Sequence, residues 1–260
     1  MASSADRMAA GAGFGALAKA DELKKRLWFT VGALIIYRLG TYLPLPGIDP
    51  KALADIFSQQ SSGILGMFDM FSGGALGRMT IFALNIMPYI TASIIMQLMT
   101  AIVPSLDSLK KDGEAGRKMI NQYTRYLTVL LASVQGYGMA VGLEAASGVV
   151  NDPGLFFRVT TVVTLVGGTL FLMWLGEQIT SRGVGNGISL IIFAGIVANL
   201  PTALAGTLEL GRTGALSSLL IVLLLAMAVA VVAFIVFIER SVRKILVQYP
   251  KRQHGNKVFG

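Results

Sequence analysis

Cysteine is absent from the 260 residues and histidine occurs once, as His254 in a polar tail. Thiolate metal sites, cysteine nucleophiles and disulfides are therefore excluded, and so are a histidine-based metal site and a catalytic triad. Four other groups of residues have types and spacing that bear on chemistry. Gly183-Val-Gly-Asn-Gly187 can adopt positive φ, and the helix amides of residues 187–190 after it could hold an anion. It lacks the spacing and the lysine of a phosphate loop, so it reads as a structural turn. Just before it, in Trp174-Leu-Gly-Glu-Gln-Ile-Thr180, Glu177 is expected at an interface beside Arg182. Asp69 stands among Met67, Phe68, Met70 and Phe71. Ile86/Ile90 and Ile188/Ile192 are two i, i+4 pairs, each putting two branched side chains on one helix face.

The elements that must carry these residues are helices in a membrane. Hydrophobic residues make up 54% of the chain and charged ones 14%, against roughly 25% charged in a soluble domain. Mean hydropathy is +0.67. Charge-free runs cover Met79–Leu106, Tyr126–Leu143, Val159–Gly176, Gly183–Leu208 and Thr213–Ile238. About 20 apolar residues cross a bilayer, so the chain reads as an all-α polytopic membrane protein. Six spans are placed at about 27–43, 79–103, 122–143, 155–175, 187–206 and 216–238. No cleavable leader is expected, because the basic run Lys24-Lys25-Arg26 leads into more membrane and not into a small-residue cleavage site.

Charge sets the expected orientation. With the amino terminus inside, 17 of the 22 basic residues fall on the cytoplasmic side, and only Arg38, Lys51, Arg78, Arg158 and Arg212 remain for spans and outer loops. That asymmetry places both ends in the cytoplasm and explains the net charge of +8 without nucleic acid.

Residues 64–76 do not fit this scheme. At 13 residues they make a helix of about 20 Å, too short for a core of about 30 Å, and they break at Gly73-Gly74. Such an element at membrane depth packs against protein or lines a water-filled cavity. On the residues alone it is either a re-entrant loop that merely packs or a functional half-helix. The isoleucine pairs likewise face lipid and neighbours, or line something.

Taken in order, several strings resemble the SecY family, the channel-forming subunit of the bacterial Sec protein translocase. They are Leu43-Pro-Leu-Pro-Gly-Ile-Asp49, Met67-Phe-Asp-Met-Phe-Ser-Gly-Gly-Ala-Leu76, Ile81-Phe-Ala-Leu-Asn-Ile-Met-Pro-Tyr-Ile90, Gln122-Tyr-Thr-Arg-Tyr126, Met173–Thr180 with Gly185-Asn-Gly-Ile-Ser189, and Tyr249-Pro-Lys-Arg-Gln253. The family has ten transmembrane helices in two inverted halves, hinged around an hourglass pore. The resemblance runs from about Leu23 to Gly260, covering the first five helices, the sixth and the start of the following loop. It implies a cytoplasmic arm at 1–26, a first repeat at 27–206, an outer loop and sixth helix at 207–238, and a basic cytoplasmic loop at 239–260.

The resemblance implies roles as well. Residues 64–76 would be the plug, with Ile64, Met67, Phe68, Asp69, Met70 and Phe71 in its body and Gly73 and Gly74 as its hinge. Ile86, Ile90, Ile188 and Ile192 would belong to the pore ring, where branched aliphatics seal around any passing sequence and resist ions by dewetting. Thr91, Ile94 and Gln97 would face the lateral gate. Arg243, Lys244, Lys251 and Arg252 would contact the ribosome or the SecA motor ATPase. The implied partners are SecE, SecG, SecA, the ribosome, signal peptides and nascent chains, and the lipid bilayer of the bacterial cytoplasmic membrane. The expected activity is passive conduction with no catalysis, no cofactor and no metal. A secondary transporter would need a polar midplane site, whereas the charges of the long spans, Arg158 included, lie near their ends. A membrane enzyme would need a nucleophile, a base and an orienting group together, and no such cluster is evident. An open groove along the second and fifth spans is expected, with Asn85, Thr91 and Ser189 near it.

Overall fold

The computed structural model describes residues 21–60, 66, 69–70, 72–146, 148–242, 252–254 and 257–259. Its helices are α1 (Asp21–Gly40), α2 (Pro50–Gln60), α3 (Met87–Ile102), α4 (Pro104–Lys111), α5 (Glu114–Ala145), α6 (Leu155–Arg182), α7 (Gly187–Val197), α8 (Leu200–Arg212) and α9 (Ser218–Glu239). Two short antiparallel strands, β1 (Arg252–His254) and β2 (Lys257–Phe259), follow them. Apart from this hairpin and two isolated β-bridges, Pro44 with Thr80 and Ile48 with Val150, the regular structure of the described residues is helical.

Four helical stretches are long and apolar enough to cross a membrane: Glu114–Ala145, Leu155–Arg182, Gly187–Arg212 and Leu219–Glu239. A fifth is reached if α3 and α4, bent by 98° at Val103, are taken as one span. The bend has a local cause. Pro104 opens α4, and proline drives the residue before it out of the helical region, so Val103 sits at φ −94°, ψ 114°. The helix α1 is not among the four, because its first turns read Asp-Glu-Leu-Lys-Lys-Arg and leave only the stretch from Leu27 for an apolar crossing. The expected fifth span breaks after α7 at Ala198-Asn199, and Pro201 restarts it as α8.

The chain divides into two compact units, residues 1–201 and 202–260. In the first, α5 packs on α6 and on α3, and α6 also packs on α7 and α1. Two apolar clusters hold it together. One joins Ala33 and Tyr37 of α1 to Phe82, Ile86, Leu172, Ile179 and Ile191. The other joins Leu45, Leu53, Met79 and Ala83 to Ala140, Leu143, Phe157 and Leu165. In the second unit α9 buries none of its described side chains.

The segment Met79–Ile86 belongs to both clusters, and it differs from expectation. A span from residue 79 was expected, yet the helix starts only at Met87 and the preceding residues form successive turns. Met79 and Asn85 take φ of +43° and +50°, which a helix cannot contain. Their backbone is satisfied otherwise. Leu45 donates to the Met79 carbonyl at 2.9 Å, Ile81 to the Leu43 carbonyl at 3.0 Å, and turn bonds from Ala83 and Asn85 follow. The extended stretch 43–49 also pairs on the loop at 149–151, where Asp49 donates to Val149 at 2.8 Å and Asn151 to Gly47 at 3.1 Å.

Candidate functional site

The isoleucine pairs meet where α3 begins and α7 lies against α6. Ile86 precedes α3 as its cap residue and is 1% exposed, and Ile90 sits one turn on, its amide donating to the Ile86 carbonyl at 3.1 Å. Ile90 and Ile188 are half-buried and pack on the cluster that holds Ile86. Ile192 is half-buried and lies outside that cluster. On α7 the buried stripe is Gly187, Ile191 and Gly195, so Ile188 and Ile192 stand one residue round from it, on the edge of the buried face. Three of the four expected residues are thus together. Ile191, which spacing did not single out, is the α7 isoleucine that fills the core.

The turn before α7 explains why this helix is held so closely. Asn186 caps it, its Oδ1 accepting from the Ile188 and Ser189 amides, while Gly187 donates to Thr180 Oγ1 at 2.9 Å and Leu190 to the Asn186 carbonyl at 3.0 Å. The leading amides of α7 all donate within the chain, which leaves none for an anion. A Cβ on Gly187 would land on the Gly176 carbonyl oxygen, so only glycine permits this approach to α6.

In the segment expected to be the plug, Ile64, Met67, Phe68 and Phe71 lie outside the described residues. Asp69 and Met70 are helical, with Asp69 half-buried and Met70 52% exposed. Asp69 Oδ1 accepts from the Gly77 amide at 2.6 Å and from Ser72 Oγ at 3.3 Å, so this carboxylate ties the turn that follows. Gly73 and Gly74 take φ of +66° and +81°, ending the helical stretch. The Gly73 carbonyl accepts from Arg38 Nη1 at 2.9 Å and Arg78 Nη2 at 3.1 Å, and both guanidinium groups flank the Tyr42 ring.

On α3 the residues expected at the lateral gate share one exposed face. Thr91 donates to the Met87 carbonyl at 3.1 Å, Ile94 is 52% exposed, and Gln97 Nε2 donates to Ser93 Oγ at 3.4 Å. The opposite face, Pro88, Ala92, Met96 and Thr100, is buried. Asn85 is buried, whereas Thr91 and Ser189 are exposed. Among the basic contacts, Arg243, Lys244 and Lys251 lie outside the described residues, and Arg252 opens β1.

Two ion pairs were not anticipated as such. Glu177 pairs with Arg125 of α5, not with Arg182: Arg125 Nη2 approaches Oε2 at 2.6 Å and Nε approaches Oε1 at 3.2 Å. Arg182 is five residues on from Glu177, a spacing that does not put two side chains on one helix face. The signal was present, since Arg125 and Glu177 are charges at the edges of apolar runs on consecutive helices. The other pair joins Arg158 to Glu144 at 2.7 Å across the α5–α6 connection, where Glu144 also accepts from the Gly154 amide.

The SecY family profile matches residues 80–259. A protein translocase subunit SecY of Rickettsia bellii is 57% identical over 92% of this chain and 56% of its own length. The subunit of the same description from Escherichia coli K12 is 56% identical over 92% of this chain and 54% of its own. That from Buchnera aphidicola is 57% identical, covering 92% and 68%. The chain spans about half the length of most of these relatives. Among solved structures, Sec61 in the canine ribosome–channel complex from the endoplasmic reticulum aligns with a TM-score of 0.50 at 19% identity, over 73% of this chain and 38% of that one. That likeness concerns the fold, whereas the identities to the bacterial subunits over nine-tenths of the sequence decide the family: the chain is a multi-pass membrane protein and belongs to the SecY family.

Proposed function

We propose that this chain is the amino-terminal part of a protein-conducting channel, which passes unfolded secretory polypeptides across the bacterial cytoplasmic membrane and releases transmembrane segments sideways into it. The observation that carries this reading is the packing of Ile86, Ile90 and Ile188 at one place, with Ile90 and Ile188 only half-covered. A flexible aliphatic rim offers a passing chain no fixed hydrogen-bond pattern and so accepts any sequence. Residues 64–76 act as the plug, hinged at Gly73-Gly74 and held at rest by the two arginines on the Gly73 carbonyl. Thr91, Ile94 and Gln97 face the lateral exit. Six helices cross the bilayer with both ends in the cytoplasm, α1 and the bent α3–α4 pair included. The chain is not a catalyst; SecA or the ribosome supplies the driving force through the basic loop around Arg243, Lys244, Lys251 and Arg252, and SecE and SecG complete the assembly.

The second half of the pore must come from elsewhere, because one helical repeat supplies only one wall. The test is signal-sequence-dependent transport into proteoliposomes with SecA and ATP. The 260-residue chain alone is expected to transport nothing, and co-expression with a carboxy-terminal SecY half is expected to restore transport. Efficient transport by the chain alone, or none with both halves assembled, overturns the reading.

A further inference from the structure

Two like charges converge on the hinge at Gly73. Arg38, near the end of α1, and Arg78, in the turns before α3, both donate to the Gly73 carbonyl, at 2.9 and 3.1 Å. Neither guanidinium group has a carboxylate partner among the described residues. What stands beside them instead is the ring of Tyr42. The guanidinium carbons of Arg38 and Arg78 lie 5.1 and 4.4 Å from its centre, and Arg38 Nη2 donates to its hydroxyl at 3.2 Å. A guanidinium over an aromatic face is attracted to it and keeps N–H groups free to donate elsewhere, which a bidentate carboxylate would occupy.

The backbone that carries the ring and the cations is anchored. Tyr42 follows Arg38 by four residues, its amide donating to the Leu39 carbonyl at 3.1 Å, and Thr41 Oγ1 donates to the Arg38 carbonyl at 2.7 Å. The next carbonyl, of Leu43, accepts from Ile81 at 3.0 Å, which ties the end of α1 to the turns just after Arg78. Gly73 is held differently. Among the described residues, the other side-chain hydrogen bonds of residues 69–80 stay within that segment. Arg38 alone bonds into it from another element, from 35 residues away. The hold of α1 on the hinge therefore depends on where one guanidinium points.

We propose that Tyr42 is the positioning residue of a latch: its ring lets Arg38 and Arg78 share the Gly73 carbonyl and so keeps the hinge in its resting place against α1. Without the ring, two cations face each other across one oxygen, and Arg78, which is exposed, moves into water. As a gating device the latch rests on the reading of residues 64–76 as the plug.

Ser72, beside the hinge and 4% exposed, serves as the reporter: S72C in this cysteine-free chain, in nanodiscs, is probed with an impermeant maleimide. Y42L and R38Q are each expected to raise the labelling rate about tenfold by opening the segment. Y42F keeps the ring and should stay within about twofold of the parent. R38K, a cation without the planar fork, should fall between. A132C, 1% exposed within α5, should stay protected in every variant. S72C labelling unchanged by Y42L and R38Q overturns the latch. So does Y42F labelling as fast as Y42L, or A132C reactivity rising in step with S72C. Ion conductance tests the plug reading apart from this, in an assembly with a carboxy-terminal SecY half that transports: Y42L should leak at rest. Faster S72C labelling with no leak keeps the latch and overturns the plug reading.

Discussion

Arg125 and Glu177 meet with two hydrogen bonds, and their side chains are 42% and 33% exposed. A pair of this kind lies between the exposed limit, worth 0–1 kcal/mol, and the buried limit, where losing one partner costs 3–5 kcal/mol. E177Q is therefore expected to cost about 1–3 kcal/mol in thermal unfolding in detergent, and the swap R125E/E177R to regain part of that loss. A loss in the swap as large as the sum of the single changes would show that the two charges act independently. Asn186 gives a second measurement. N186A removes the acceptor for two amides and should cost about 1 kcal/mol, whereas N186D, which keeps an oxygen there, should cost less. Residue types foretold that Gly183–Gly187 was a turn, but not that its amides were already taken, because the acceptors come from Thr180 and from the cap itself.

At the scale of elements, adjacent glycines on α6 have opposite expectations. A Cβ at Gly168 would fall on the Ile81 carbonyl oxygen, and one at Gly167 would meet nothing. G168A must push the Met79–Ile86 segment off α6, at a cost of about 1–3 kcal/mol. G167A should be neutral or stabilising by up to about 1 kcal/mol through helix propensity. Differential unfolding of the two variants in one detergent checks both. The same segment shows where sequence reasoning stopped. Pro104 follows the expected end of the second span at 103, whereas Pro201, beside the break between α7 and α8, falls inside the span expected at 187–206, although proline acts on its own neighbours. The late start of α3 had no such marker: residues 79–86 are apolar enough for a helix, and the positive φ of Met79 and Asn85 is maintained by pairing with residues 43–45. Long-range pairing overrode local pattern there. The isoleucines were legible as a spacing, but their meeting depends on Gly187 and Gly176, whose contact no spacing reveals.

For the whole molecule, the absence of cysteine makes orientation measurable with single introduced thiols. S108C, exposed on α4, is expected to react with an impermeant maleimide only from the cytoplasmic side, and D152C, exposed before α6, only from the outside. The reverse pattern would overturn the charge-based orientation. The self-contained turn between α6 and α7 has a further consequence, for biogenesis. A multi-pass membrane protein enters the membrane as it is made, and the order of entry depends on which pieces can leave water with no backbone amide unsatisfied. Because Asn186 and Thr180 complete the start of α7 from within ten residues, α6 and the stretch Gly187–Arg212 can insert as one hairpin once synthesis has passed Arg212, without help from α9.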